Sequence, residues 1–261
     1  MSIKAYDQTV PIVLVHDEQS IAHLSEEELN VFDALKIADS EDYVIGETKQ
    51  YQRLKLCIDK YSDFDQTLYV DVDTVWFPKK NVSDLIKKLS GFNFFIGQNG
   101  HYNPITGIKS TQTYTFWEEP KTICDYFGIT NKLPQTVSGV FFFKKGEFSD
   151  KVFNRSREIY DDPNVPCKPW ANGKPDEYCF NVALAEAGHV QNDSHIVFFD
   201  RINGALNNKQ IYSSFWGLAI GGTKITDHMR SIYDALIDLY AKVFNFAPRY
   251  CENKAGITGR I

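Results

Sequence analysis

The run that most constrains this chain covers residues 68–77, LYVDVDTVWF. β-Branched and aromatic residues dominate it, and polar residues bound it on both sides, which is typical of a buried β-strand. Residues i and i+2 of a strand point to the same side, so Asp71 and Asp73 are expected to lie together at or just past the strand's end. Two close carboxylates repel each other unless a proton or a cation lies between them, and Mg²⁺ and Mn²⁺ prefer such oxygen ligands. The alternative is that both aspartates only cap backbone N–H groups where a strand meets a loop.

Length, composition and charge narrow the class of protein. The 261 residues suit one domain, and the hydrophobic share of 43% is enough for a sizeable core. The net charge of −6 argues against a nucleic-acid binder, which usually carries a basic excess. No apolar stretch approaches the ~20 residues that span a bilayer, and the N-terminus lacks the apolar core of a signal peptide. Five scattered cysteines without CxxC spacing fit small hydrophobic residues in a reducing compartment, so we expect a cytoplasmic protein.

Strand and helix patterns alternate along the chain. Further strands are predicted at residues 11–16, 92–97, 137–143, 196–199 and 215–220. Helices are predicted at residues 51–61, 81–89, 150–160, 176–187 and 226–244. A further helical turn begins at Ser25, with Glu28 at capping-box spacing. Residues 98–121 show no clear period, which favours a functional loop or a small hairpin.

Three segments in order carry a family resemblance. A helix followed by residues 63–74, DFDQTLYVDVDT, resembles the nucleotide-sugar-binding core of glycosyltransferases with the GT-A fold, in particular the retaining glycogenin-like and bacterial galactosyltransferase-like group. Residues 135–141, QTVSGVF, look like that family's Asn-Ser-Gly strand, with Val137 in place of the usual Asn. Residues 175–181, PDEYCFN, look like its acidic helix start. The resemblance covers about residues 8–235 of one domain at 1–261, with a C-terminal helix and tail at 236–261. It implies an α/β, GT-A-like (Rossmann-like) domain, with a mixed, mostly parallel sheet flanked by helices.

The resemblance also implies a function and a metal. The expected reaction moves a sugar from a nucleotide-diphosphate donor, a UDP-sugar by family default, to an unidentified hydroxyl acceptor, with retention of configuration. Asp71 and Asp73 would hold Mn²⁺ or Mg²⁺, and Asp71 would also contact the ribose. His228 would be the third ligand, with His195 and His101 as weaker candidates; a capping or surface histidine is the alternative. A divalent ion that bridges both phosphates stabilises the charge that grows on the leaving group.

Other residues would bind the donor and the acceptor. Lys55, on the helix before the aspartate strand, resembles a basic residue that family members direct at the donor; a solvated helix lysine is the alternative. Ser138 and Gly139 would line the donor-sugar pocket, because glycine permits close approach of a ligand, although small residues in central strands often serve only packing. Trp170, in a loop rich in Pro, Gly and Asn, would either stack on an acceptor sugar or anchor its loop.

Asp176 and Glu177 start a helix directly after Pro175. The helix dipole alone favours acids at this position. The functional alternative is that one of them faces the reacting carbon of the sugar or the acceptor hydroxyl. It would be the general base of an inverting enzyme; in a retaining enzyme it would stabilise the positively charged transition state or orient the acceptor.

The family's N-terminal part is the main departure. Family members begin with a strand and a helix that hold the nucleotide base, and the match to this chain begins after them. Residues 2–6 look like the end of that helix. We therefore expect the base-binding strand to be absent, or to be supplied by another segment, a second copy or a partner chain.

Two other functional classes stay open. Residues 71–75 also resemble the first motif of haloacid-dehalogenase-type phosphatases, with Asp71 as the nucleophile and Asp161-Asp162 as the later acidic pair. That motif normally lies near the N-terminus, whereas about seventy residues precede it here. A non-catalytic nucleotide-sugar or carbohydrate-binding module is the third class, and nucleotide binding without turnover would favour it.

Overall fold

The computed structural model describes residues 2–72, 74–76, 81–110, 116–171, 173–189, 199–201, 217–219, 238 and 241–243. The chain divides into two compact units. The first unit comprises residues 1–37, 70–88 and 197–261, and the second comprises residues 38–69 and 89–196. That residues 1–261 act as one domain stays a prediction.

The first unit contains two small sheets. Its elements are α1 (Ser2–Tyr6), β1 (Val13–His16), α2 (Glu26–Leu29), β2 (Ala34–Ile37), β6 (Thr74–Trp76), α5 (Val82–Leu89), β10 (Phe199–Arg201) and β11 (Gly217–Ala219). β1 pairs in parallel with β2, whereas β11 pairs in parallel with β10 and antiparallel with β6. The predicted capping box is present, because Ser25 and Glu28 each accept a hydrogen bond from the other's backbone N–H.

The second unit contains a four-stranded sheet in the order β5-β9-β7-β8. Its elements are a 3-10 turn (Ser40–Asp42), β3 (Val44–Ile45), β4 (Thr48–Lys49), α3 (Tyr51–Lys55), α4 (Ile58–Tyr61), β5 (Gln66–Val70), β7 (Phe94–Asn103), β8 (Ile108–Lys109), α6 (Pro120–Phe127), β9 (Leu133–Lys144), α7 (Glu147–Asp161) and α8 (Asp176–Glu186). β7 runs antiparallel to both β8 and β9. β3 and β4 form a separate antiparallel hairpin.

The apolar run at 68–77 is not one strand. β5 ends at Val70 and β6 begins at Thr74, and the two strands belong to different sheets. In the turn between them the Thr74 N–H donates to the Asp71 carbonyl at 3.1 Å, and Val72 is 73% exposed. Periodicity alone does not show such a break, because the residues on both sides of the aspartates have high strand propensity. Asp71 is nevertheless the first residue past the end of β5, as expected.

The observed limits of two other elements differ from the predicted ones. The helix predicted at 51–61 is interrupted after Lys55, where the N–H groups of Leu56 and Cys57 bond to carbonyls three residues back rather than four. The strand predicted at 92–97 continues to Asn103 and forms a hairpin with β8. The first part of the predicted loop at 98–121 is therefore strand, which agrees with its alternative interpretation as a small hairpin.

Aromatic side chains form the core of the second unit. Phe141 of β9 lies at its centre, with ring centroids 4.5 Å from Tyr69, 5.9 Å from Phe94 and 5.3 Å from Phe180. The buried side of α7 packs into the same cluster through Phe153. Because α8 is buried around its whole circumference, it lies inside this core rather than on the surface.

The observed architecture is α/β, with open, mixed sheets flanked by helices, and the predicted class is confirmed. Antiparallel pairing is more extensive among the described strands than the mostly parallel arrangement that we expected, chiefly because of the long β7–β9 pair. Within the described parts of the chain, no helix combines the length and apolar character needed to cross a bilayer. Most of the helix predicted at 226–244 lies outside the described residues.

Candidate active site at the start of α8

Two carboxylates open the buried helix of the second unit. α8 begins at Asp176, directly after Pro175, and Glu177 follows in its first turn. Asp176 is only 8% exposed, although burial opposes a charged carboxylate. The N–H groups at a helix N-terminus favour negative charge and offset part of this cost.

β9 reaches these acids through an irregularity in its pairing. The register moves from Ile96–Phe141 to Gly97–Val137, so that one step along β7 spans four along β9. Ser138 lies within this bulge, is buried, and donates a hydrogen bond from its Oγ to Asp176 Oδ2. Bulges often re-aim side chains next to active sites, and this one turns Ser138 towards α8.

A buried amide fixes the bulge to α8. The Oδ1 atom of Asn181 accepts a hydrogen bond from the backbone N–H of Thr136 at 2.8 Å. Asn181 is 1% exposed, so this bond satisfies two polar groups that have no access to water. Thr136 Oγ1 also donates to the Glu177 carbonyl at 3.4 Å, so several hydrogen bonds join the helix that carries the acids to the strand that carries Ser138.

Lys55, the last residue of α3, supplies a cation. Its Nζ lies 3.2 Å from Asp176 Oδ2 and donates to Ser138 Oγ at 3.5 Å. The same ammonium group lies 5.6 Å from the centre of the Tyr69 ring, a distance at which a cation–π attraction operates. Lys55 is therefore a mostly buried partner of Asp176 and not the solvated helix lysine of the alternative.

Glu177 has a different environment from its neighbour. It is half-buried, and its Oε2 accepts a hydrogen bond from Trp117 Nε1 at 3.0 Å. Burial, and next the charge of Asp176, raise the pKa of Glu177 to about 7. The hydrogen bond from Trp117 and the charge of Lys55 act in the opposite direction. Glu177 therefore keeps its proton to a higher pH than a solvated glutamate does.

Trp170 lies in the loop before α8. Its backbone pairs with Gly173 through two hydrogen bonds, of 2.7 and 3.0 Å. Trp170 is 51% exposed, and its ring lies 5.3 Å from the Trp117 ring, at an interplanar angle of 58°. An exposed indole supported by a second indole is a surface on which an apolar ring face can stack.

The predicted metal site stays a prediction. Asp71 offers the carboxylate oxygen that Mg²⁺ and Mn²⁺ prefer, whereas Asp73, His195 and His228 lie outside the described residues. His101 lies within β7, opposite Pro134, where burial lowers its pKa. No group of three or more His, Cys, Asp or Glu side chains that could hold a metal occurs among the described residues.

The structure brings three separately predicted residues into contact: Lys55, Ser138 and Asp176. Glu177 lies beside them, and Gly139 lies half-buried in the same bulge. Sequence patterns predicted neither Trp117 nor Asn181 as a site residue. Asn181 had a signal, since an amide side chain in an apolar, buried helix needs a hydrogen-bond partner. Trp117 had none, because residues 98–121 show no period.

Comparison with known proteins identifies no family. No protein-family model matches the chain, and no curated protein matches it. The solved structure of mouse xyloside xylosyltransferase 1, in its apo form, is similar over 80% of this chain and 83% of that chain, with 13% identity and a TM-score of 0.44. A structure from Bacillus anthracis, described as a glucose-1-phosphate thymidylyltransferase in complex with a sucrose, is similar over 67% of this chain and 64% of that chain, with 16% identity and a TM-score of 0.32. Both TM-scores lie below 0.5, so the function of this chain has to be argued from its own residues.

Proposed function

We propose that this chain is a metal-dependent glycosyltransferase, which moves a sugar from a nucleotide-diphosphate donor to a hydroxyl acceptor. One observation carries the proposal: two carboxyls lie side by side at the start of α8, one paired with a mostly buried ammonium group and the other hydrogen-bonded to an indole N–H. Asp176 faces the Lys55 ammonium group at 3.2 Å, whereas the pKa of Glu177 is raised to about 7. A carboxyl whose pKa is raised by burial and by a neighbouring acid is typical of sites that perform acid–base chemistry.

Glu177 is the proton acceptor in this proposal. Attack by an acceptor hydroxyl requires that its proton leave, and a base with a pKa near the working pH does this most effectively. Asp176 holds Lys55 and Ser138 in place, so that the ammonium group and the hydroxyl line the donor side of the site. Trp170 offers its exposed ring to the acceptor. A general base is typical of an inverting enzyme, whereas the family resemblance implies retention, and the anomeric configuration of the product, measured by NMR, distinguishes the two.

The metal belongs to the proposal as well. Asp71, Asp73 and His228 are the residues proposed to hold Mn²⁺ or Mg²⁺. When bound, the ion offsets negative charge on the diphosphate leaving group. A UDP-sugar is the first donor to test, because it is the usual donor of the glycosyltransferases that the sequence resembles.

The phosphatase alternative loses support from the structure. It needs Asp161-Asp162 as a free acidic pair, but both Asp161 oxygens accept hydrogen bonds from Arg53 at 2.8 Å. Asp162 accepts a hydrogen bond from the Asn164 N–H at 2.9 Å, in a turn after α7. These contacts are those of a helix end held in place, not of a metal ligand pair.

The test is a calorimetric titration with UDP, GDP and CDP, each with and without Mn²⁺, followed by transfer assays with the sugar forms of the nucleotide that binds. We expect one nucleotide to bind only with metal, and the Asp71→Asn/Asp73→Asn double variant to lose this binding at unchanged thermal stability. The Asp65→Asn/Asp125→Asn variant makes the same change in charge elsewhere and should bind normally.

Other outcomes would overturn the proposal. Binding without transfer to any acceptor would favour the binding module. Hydrolysis of an aryl phosphate without nucleotide binding would favour the phosphatase. Unfolding of the double variant would show that Asp71 and Asp73 are structural caps.

A further inference from the structure

The indole ring of Trp117 lies between the exposed Trp170 ring and Glu177. Trp117 donates from Nε1 to Glu177 Oε2 at 3.0 Å, and its ring lies 5.3 Å from the Trp170 ring. The indole N–H can only donate a hydrogen bond, and a donor binds an ionised carboxylate more strongly than a protonated carboxyl. Trp117 therefore touches both the stacking surface and the group that exchanges a proton.

The backbone around these two indoles is held in an uncommon conformation. Trp117 has a φ of +67° and Ala171 a φ of +47°; among the described residues other than glycine, these are the two with positive φ. A bulky residue adopts this region only where surrounding structure holds it, and such residues cluster at functional sites. The Lys168 N–H donates to the Trp117 carbonyl at 2.9 Å and links the two loops.

We propose that Trp117 is a positioning residue, which holds the Glu177 carboxyl through its indole N–H and supports the Trp170 ring with its own ring. An acceptor that stacks on Trp170 would then meet a carboxyl already aimed at its hydroxyl. The catalytic meaning of this inference rests on the proposed function, whereas the hydrogen bond and its effect on Glu177 do not.

The charged groups that face Glu177 set the direction of the expected effect. Burial, and next Asp176, raise the Glu177 pKa, whereas the Trp117 hydrogen bond, the charge of Lys55 and a hydrogen bond from the Ser138 backbone lower it. Loss of the Trp117 N–H therefore moves the pKa further above its ordinary value. Since a base must be ionised to accept a proton, the acidic limb of the rate profile moves to higher pH as well.

The first experiment follows the Glu177 carboxyl by carbon NMR as a function of pH, in the wild type and in Trp117→Phe and Trp170→Phe variants. We expect Trp117→Phe to raise the midpoint by about one pH unit, the size expected for loss of a hydrogen bond to a charged group. Trp170→Phe leaves the Trp117 N–H in place, so it should leave the Glu177 midpoint unchanged. An unchanged midpoint in Trp117→Phe would overturn the inference, even if that variant is less stable.

A second measurement needs no variant at position 117. The nitrogen-bound proton of the Trp117 indole should shift with pH at the same midpoint as Glu177; a pH-independent signal would overturn the inference. Both titrations are made without substrate, so an absence of transfer activity would count against the proposed function alone. Where transfer is found, the acidic limb of kcat should move with Trp117→Phe, and the acceptor KM should rise with Trp170→Phe. A limb that does not move would contradict the positioning role.

Discussion

Lys55 Nζ lies 3.2 Å from Asp176 Oδ2, and the two side chains are only 14% and 11% exposed. The pair joins α3 to the first residue of α8, at a point where Ser138 also contacts the carboxylate. A mostly buried ion pair is costly to break from one side, because the remaining charge keeps little access to water.

We therefore expect Lys55→Met and Asp176→Asn each to lower the free energy of unfolding by about 3 kcal/mol. The double variant should cost less than the sum, with a coupling of about 1–3 kcal/mol. Urea unfolding of the four proteins measures this. Lys121→Met, which breaks an exposed pair with Asp125, is the control and should change stability little. Strict additivity would show that the pair is not coupled.

The raised pKa of Glu177 predicts that stability depends on pH. The ordinary value is 4.5 and the folded value about 7, so the folded state binds the proton more tightly than the unfolded chain does. The free energy of unfolding should consequently fall as pH rises from about 4.5 to about 7, by about 3 kcal/mol from this group. Unfolding midpoints at pH 5 and pH 8, in the wild type and in Glu177→Gln, measure it. The Gln variant should lose much of the difference, and an equal difference in both proteins would refute the prediction.

Gly173 should not tolerate a side chain. A Cβ at this position would overlap the Tyr160 hydroxyl and lie 2.7 Å from Gln50 Oε1, which itself accepts a hydrogen bond from that hydroxyl. We expect Gly173→Ala to cost about 1–3 kcal/mol and to displace the Trp170 turn. Adding Tyr160→Phe should recover part of the loss. Gly91→Ala, where a Cβ meets open space, is the matched control. Equal stability of the two alanine variants would contradict the predicted clash.

The bulge of β9 should depend on Asn181. Replacing Asn181 with Leu leaves the buried N–H of Thr136 without the acceptor that it has at 2.8 Å, which costs about 1–3 kcal/mol. Hydrogen exchange of the Thr136 amide should accelerate relative to its neighbours in β9. Asn131→Ala is the control, because Asn131 is exposed and makes only a 3.4 Å bond to the Ala185 carbonyl. Unchanged exchange at Thr136 would show that the bulge holds without this bond.

Local sequence pattern was sufficient to predict several of the helices and strands. Apolar spacing predicted β1, α5, β9 and α7 to within a few residues, because each buries one face or lies wholly in a core. The family resemblance, rather than local pattern, singled out Lys55, Ser138 and Asp176, and their functional roles stay predictions.

What the sequence by itself determined is the α/β class, since the alternation of strands and helices depends on short-range preferences. The tertiary structure alone decided that β5 and β6 belong to different sheets and that Trp117 contacts Glu177. Trp117 and Glu177 are 60 residues apart, and Lys55 and Ser138 are 83 apart. Proximity over such separations arises from long-range packing around α8 and the β9 bulge, and the same packing sets the burial that raises the Glu177 pKa.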